Sequence, residues 1–328
     1  MNLKTIPLFD ELERSESILL AGCGGGFDVF GALPLYFALR QAGKKVHLAN
    51  FSFSFPELGF PLALLQPEYV RRRLASTLLA VDADLKPLGS YFPELYLSRW
   101  FRDRGEEVPV YTFATSGAAP LLEGYRVLAE RLGLDAVVLV DGGADSLMRG
   151  DEEDLATPSE DIASVAAVSA LDLPVKILAC VGFGIDWHHG LSHARVLEAT
   201  AELAASGGFL GVFSLLSGMP EAELFRQACA WVFDRMPGDE SAVASSVISA
   251  LDGRFGNWHA YPRTEKGELW ISPLMSTYWS YRLDAVADRL LYPLDALRGT
   301  RGILDVTKVI LDFRQGLGKL RPRIPIPI

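Results

Sequence analysis

Residues 136–153 read AVVLVDGGADSLMRGDEE. A run of aliphatic residues from Ala136 to Val140 ends in Asp141, two glycines and Asp145, with Asp151, Glu152 and Glu153 a few residues on. A buried strand that stops in Asp-Gly-Gly delivers a carboxylate to the carboxyl edge of a sheet, and open α/β sheets bind their ligands at that edge. Glycine adopts backbone conformations that other residues resist and lets a ligand approach closely. The stretch therefore marks a site. The alternative for the 151–154 acids is a solvated charged loop, the ordinary fate of a charge run.

Working outward, short apolar runs alternate with helical patterns. The expected strands are 17–22, 45–52, 108–114, 136–141, 175–181 and 208–214, and the helices between them are about 29–42, 120–132, 159–171 and 192–205. The strand runs are apolar throughout instead of alternating, as when helices cover both faces of a parallel sheet. This order predicts an α/β protein, a Rossmann-like three-layer α/β/α sandwich with a mostly parallel sheet. Thr157-Pro158-Ser159-Glu160-Asp161 reads as a helix start with acids in the first turn, facing the positive end of the dipole. Gly43, Gly133 and Gly207 stand where left-handed residues end helices.

Beyond about residue 215 the rhythm changes. Helices are expected at 220–235, 242–251, 284–292 and 302–314, with a hairpin-like or irregular stretch at 258–274. Tyr278-Trp279-Ser280-Tyr281 reads as core or partner surface. The chain ends in RPRIPIPI, which proline bars from helix and central strand. It is expected to be an extended tail with its isoleucines partly buried. One domain over 1–328 is expected, with a core at about 15–215 and a helical C-terminal elaboration and tail at about 216–328.

Composition narrows the function. The chain has 328 residues, 49% hydrophobic and 22% charged, with a formal net charge of −10. A pI near 5.1 opposes sequence-independent nucleic-acid binding, which needs a basic footprint. Cys23, Cys180 and Cys229 are too few and scattered for a disulfide framework or a zinc motif. No apolar leader and no run of about 20 apolar residues is present, so a cytoplasmic protein without a membrane partner is expected.

Three features carry chemistry. The first is Gly22-Cys23-Gly24-Gly25-Gly26-Phe27-Asp28 after the first strand. Exposed N–H groups there suit a small anionic or nucleotide-like ligand, with Gly22, Gly24, Gly25, Gly26 and Asp28 as binding residues. The loop lacks the third glycine of a dinucleotide fingerprint, Asn50 stands near the expected second-strand acid, and the Lys-Ser/Thr of a P-loop is missing. The second is Asp186-Trp187-His188-His189-Gly190-Leu191-Ser192-His193, in which His189 and His193 are candidate bases or ligands. The third is the acidic segment itself. Asp141, Asp145, Asp151 and Glu152 are candidate catalytic groups, and Asp141 and Asp145 are candidate ligands of Mg²⁺ or Mn²⁺, which prefer hard oxygen. No G-x-S-x-G elbow is present.

The segments GCGGGFDV, YFPELYLSRWF (91–101), VDGGADSLMRGDEEDLATPSED (140–161), GFGID with HHGLSH (182–193) and ISPLMSTYW (271–279) together resemble a prokaryotic family of domains of unknown function, number 1152. That resemblance implies a single domain and supports the choice of residues, and it brings no reaction with it. Over Asp141–Asp145 alone, the chain is also similar to D-glutamate cyclase, which implies a metal-activated lyase acting on a small amino-acid-like substrate. The expectation is a hydrolase or lyase that works on a small molecule. The alternatives are a non-catalytic nucleotide- or metabolite-binding protein, and an assembly protein forming a homo-oligomer through its tail.

Overall fold

The structure is a computed structural model, and it describes residues 5–56 and 59–324. Among the described residues eleven strands follow one another: β1 Ser17–Gly22, β2 Lys45–Ser52, β3 Arg73–Ala75, β4 Leu78–Val81, β5 Val110–Ala114, β6 Ala136–Asp141, β7 Val175–Cys180, β8 Phe209–Ser214, β9 Gly256–Asn257, β10 Trp270–Ile271 and β11 Thr277–Arg282. Nine form one sheet in the order β3-β4-β5-β2-β1-β6-β7-β11-β8, and β9 and β10 form a separate antiparallel ribbon. The five central strands β5, β2, β1, β6 and β7 are parallel. β1 and β6 are buried along their whole length, which explains their unbroken apolar sequences.

Alternate residues of the central strands enter two cores. Leu19, Ala21, Val137 and Leu139 face the helices Ala118–Leu132, Ser159–Ser169 and His193–Ala205. Ile18, Leu20, Val138 and Val140 face the helices Leu33–Gln41, Pro93–Asp103 and Pro220–Phe233. The protein is thus a Rossmann-like three-layer α/β/α sandwich around a mostly parallel sheet. Gly43, Gly133 and Gly207 end their helices with φ of 81°, 60° and 76°.

Two parts of the sheet depart from the expectation. β3 and β4 add an antiparallel edge beside β5. The 216–328 segment is not only helical, because β11 inserts antiparallel between β7 and β8. Thr277–Arg282 reads TYWSYR, aromatic residues mixed with small and polar ones, so it lacks the continuous apolar run that marks a parallel strand. Tyr278 and Tyr281 are nevertheless buried, and the Tyr278 hydroxyl donates to the Gly31 carbonyl at 2.8 Å. β11 thereby ties the C-terminal third into the sheet.

The chain runs from β1 outward through β2 to β5, then returns to place β6 on the other side of β1. The strand order therefore reverses between β1 and β6. Loops leaving two parallel strands on either side of such a reversal diverge to opposite faces, and a crevice opens between them at the carboxyl edge. The 22–26 glycine loop and the Asp141-Gly142-Gly143 turn flank this crevice. Among the described residues, no helix is long and apolar enough to cross a membrane.

Candidate functional site

Five aspartates converge at the crevice. Asp141 ends β6, Asp145 opens the one-turn 3₁₀ helix Asp145–Leu147, and Asp186 lies in the turn Ile185–His189 that follows β7. Asp28 begins the helix after the glycine loop, and Asp161 lies in the first turn of the Ser159–Ser169 helix. Asp141, Asp145, Asp161 and Asp186 are buried, while Asp28, Gly24 and Gly142 keep some exposure and form the mouth. One carboxylate oxygen each of Asp28, Asp141 and Asp161 lies within 4.8 Å of the others.

Bare glycine backbone makes this crowding sterically feasible. A Cβ on Gly24 would stand 2.5 Å from Asp161 Oδ2. One on Gly142 would stand 2.5 Å from Asp28 Oδ1, and one on Gly143 would stand 2.5 Å from Asp186 Oδ2. Each glycine thus seats one carboxylate. Gly25, with φ of 101°, and Gly26, with φ of 61°, also turn the loop through conformations that side chains oppose.

The glycine loop does not present a free nest of N–H groups to an anion. Gly24 N donates to Asp28 Oδ2 at 2.7 Å, and the Gly25 and Gly142 N–H groups also serve the Asp28 carboxylate. The protein's own carboxylate fills the place that a phosphate would take in a nucleotide loop. β2 buttresses the loop from behind: Asn50 Nδ2 donates to Gly26 O at 2.8 Å and to Glu94 Oε1 at 2.7 Å.

Hydrogen bonds hold three more members. Asp141 Oδ2 accepts from the Ser146 hydroxyl and, at 3.3 Å, from its N–H. Asp145 Oδ2 accepts from Thr157 N at 3.1 Å, and Asp186 Oδ2 accepts from Ala144 N at 2.7 Å. Asp161 Oδ1 is different: it is buried and has no hydrogen-bond partner. Among the described residues no Lys or Arg forms an ion pair with any of the five.

Burial, reinforced by the neighbouring carboxylates, pushes Asp141, Asp161 and Asp186 well above the usual carboxylate range. Burial likewise raises Asp28 to about 7, against the N–H donors of its loop, and Asp145 to about 6. Charges this close can coexist only if some are protonated or if a cation joins them. Hard oxygen ligands with an orphaned oxygen and no competing amine match a divalent cation such as Mg²⁺ or Mn²⁺. A cavity of ≈ 10 Å³ beside Asp28, Gly31 and Gly142 leaves room for about one water.

Asp151 and Glu152 do not join this cluster. They face the C-terminal segment instead. Arg321 pairs with Asp151 at 2.8 Å, with Glu152 at 2.7 Å and with Glu198, and Arg149 pairs with Asp151 at 3.1 Å. Burial would raise Asp151, but Arg149 and Arg321 hold it below the usual range. His189 is exposed. His193 stacks on Phe183 and Trp187, and its burial lowers its pKa. The tail isoleucines Ile326 and Ile328 lie outside the described residues, and Ile324 is 39% exposed.

Sequence reasoning reached Asp28, Asp141 and Asp145 through their strand-end glycines. It passed over Asp161 and Asp186. Asp161 looked like an ordinary first-turn acid, and Asp186 was overshadowed by the adjacent histidines. The available signal was the pairing of acids with glycines in neighbouring loops: Gly24 with Asp161, and Gly143 with Asp186.

No match was found among the curated proteins. The family model described as "Protein of unknown function (DUF1152)" matches residues 71–313, well over half of the chain. That span holds Asp141, Asp145, Asp161 and Asp186, whereas the glycine loop and Asp28 precede it. The chain belongs to this family, Protein of unknown function (DUF1152).

Proposed function

We propose that the protein is a divalent-cation-dependent enzyme, a hydrolase acting on a small anionic substrate at the β1–β6 crevice. The observation that carries this reading is Asp161 Oδ1: a buried, unpartnered carboxylate oxygen, on a residue grouped within 4.8 Å with Asp28 and Asp141. A buried carboxylate oxygen without a donor is expensive, and a cation shared by three carboxylates removes the expense. Mg²⁺ or Mn²⁺ held there would polarise a substrate oxygen and favour ionisation of a bound water.

The chain's own residues supply the rest. Asp145, raised to about 6, changes protonation near neutrality and can take a proton from water and return it to a leaving group. The cluster would repel an anion on its own, so the cation is the element that admits one. The partly exposed Gly24, Asp28 and Gly142 leave the approach to a small molecule.

The test is calorimetric titration of chelator-stripped protein with Mg²⁺ and Mn²⁺, followed by turnover assays on phosphate esters, pyrophosphates and small amides. One cation should bind per chain, Asp161→Asn and Asp141→Asn should lose it, and turnover should need it. Absence of cation binding at about pH 8, where the carboxylates are most ionised, overturns the proposal. Cation binding without turnover on any substrate would support a metabolite-binding protein instead.

A further inference from the structure

The helix Ala242–Leu251 has two working faces. Val243, Ala244 and Val247 wall the cavity beside Asp28 and Gly142. Its other side, at Ser245, Ile248 and Ser249, lines a separate groove of ≈ 390 Å³ shared with the helix Pro220–Phe233 and the segment that follows residue 252. That volume falls in the range of small-molecule pockets.

The groove joins rings to unbalanced positive charge. Trp258 and Tyr261 stand along it with Phe233 and Ile248, and Trp258 is 38% exposed. Arg226 and Arg254 also line it, with Asp252 as the one acid. Arg226 Nη1 pairs with Asp252 at 2.6 Å, but Arg226 Nη2 is buried and has no hydrogen-bond partner. The Arg254 guanidinium lies 4.2 Å from the centre of the Trp258 ring, and among the described residues it has no carboxylate partner.

We infer that this groove is a second ligand site, for a small molecule that carries a flat aromatic ring and an anionic group. The ring stacks among Trp258 and Tyr261, where an apolar face leaves water and meets aromatic surface. The anionic group meets the Arg254 guanidinium, with the Asp252-paired Arg226 beside it, and a guanidinium suits carboxylate and phosphate geometry. In a chain of net charge −10, two arginines with one acid form a locally positive pocket, which favours such an anion. A nucleoside monophosphate and an aryl carboxylate share this chemistry. The inference does not rest on the cation site, since none of the five aspartates lines the groove.

Equilibrium titration of the whole protein with adenosine monophosphate, indole-3-carboxylate, adenosine and inorganic phosphate tests it. Binding of at least one of the first two is expected, at least tenfold tighter than adenosine or phosphate alone. Preference between the first two identifies the source of the anionic group. Trp258→Ala and Arg254→Ala, both in a surface segment, should each weaken binding at least tenfold. Asp161→Asn should leave it unchanged, which separates this site from the cation site. Failure of both ring-bearing anions to bind overturns the inference, and so does binding that survives the double variant or is lost in Asp161→Asn.

Discussion

Thermal unfolding of chelator-stripped protein from about pH 5 to about pH 8 reads the electrostatic burden of the aspartate cluster. A carboxylate raised by folding contributes stability that is fully present below its unfolded pKa and is lost as pH rises through its folded pKa. For Asp28 the loss runs from 3.8 to about 7, and for Asp145 from 3.8 to about 6. At about 1.4 kcal/mol per pH unit, the part above pH 5 is about 3 kcal/mol for Asp28 and about 1.4 kcal/mol for Asp145. Partial exposure of Asp28 screens its share, so these two groups contribute a fall on the order of 3–4 kcal/mol, and Asp141, Asp161 and Asp186, which are also raised, deepen it. At about 2 °C per kcal/mol for a chain of this size, Tm should drop by at least roughly 6–8 °C toward the alkaline end. His47 and His193, lowered by burial, act in the opposite sense below pH 6.5, because protonation of the unfolded chain then draws it away from the native state. Subtracting the curve of Asp28→Asn cancels that contribution. The variant should be the more stable at pH 8 and show the shallower slope, and Mn²⁺ at 100 times its Kd should restore about 2.7 kcal/mol to the wild type alone. If wild type and Asp28→Asn share one slope, or if Mn²⁺ stabilises both equally, the cluster does not carry the burden assigned to it.

Two further substitutions separate scaffold from site. Arg321→Ala removes the partner of Asp151, Glu152 and Glu198; it should destabilise by about 1–3 kcal/mol while leaving cation affinity within twofold, as denaturant unfolding and calorimetry will show. A tenfold loss of affinity would place the 149–153 loop in the site after all. Gly143→Ala puts a Cβ 2.5 Å from Asp186 Oδ2 and should cost about 1–3 kcal/mol by displacing that carboxylate from Ala144 N. Gly218→Ala, with nothing within 4 Å of the added carbon, is its control and should be close to neutral.

The central sheet was legible in the sequence because strands buried on both faces are predominantly apolar. β1, β2 and β6 have the bounds read from the sequence, and the Asp-Gly-Gly turn announced the crevice. β11 was not legible in the same way. Its aromatic-rich Thr277–Arg282 sequence is compatible with a strand, but only packing against β7 and β8 makes it one. Local sequence therefore determined which segments are stiff and apolar, and which strand ends carry an acid beside glycine. The tertiary structure alone decided which of those acids meet. Asp161 and Asp186 join Asp28, Asp141 and Asp145 because the sheet reverses between β1 and β6, while Asp151 and Glu152, only a few residues from Asp145, turn away to Arg321. Distance along the chain sets neither outcome. A buried charge goes where a partner or a glycine leaves room for it, and both are supplied by segments far away in sequence.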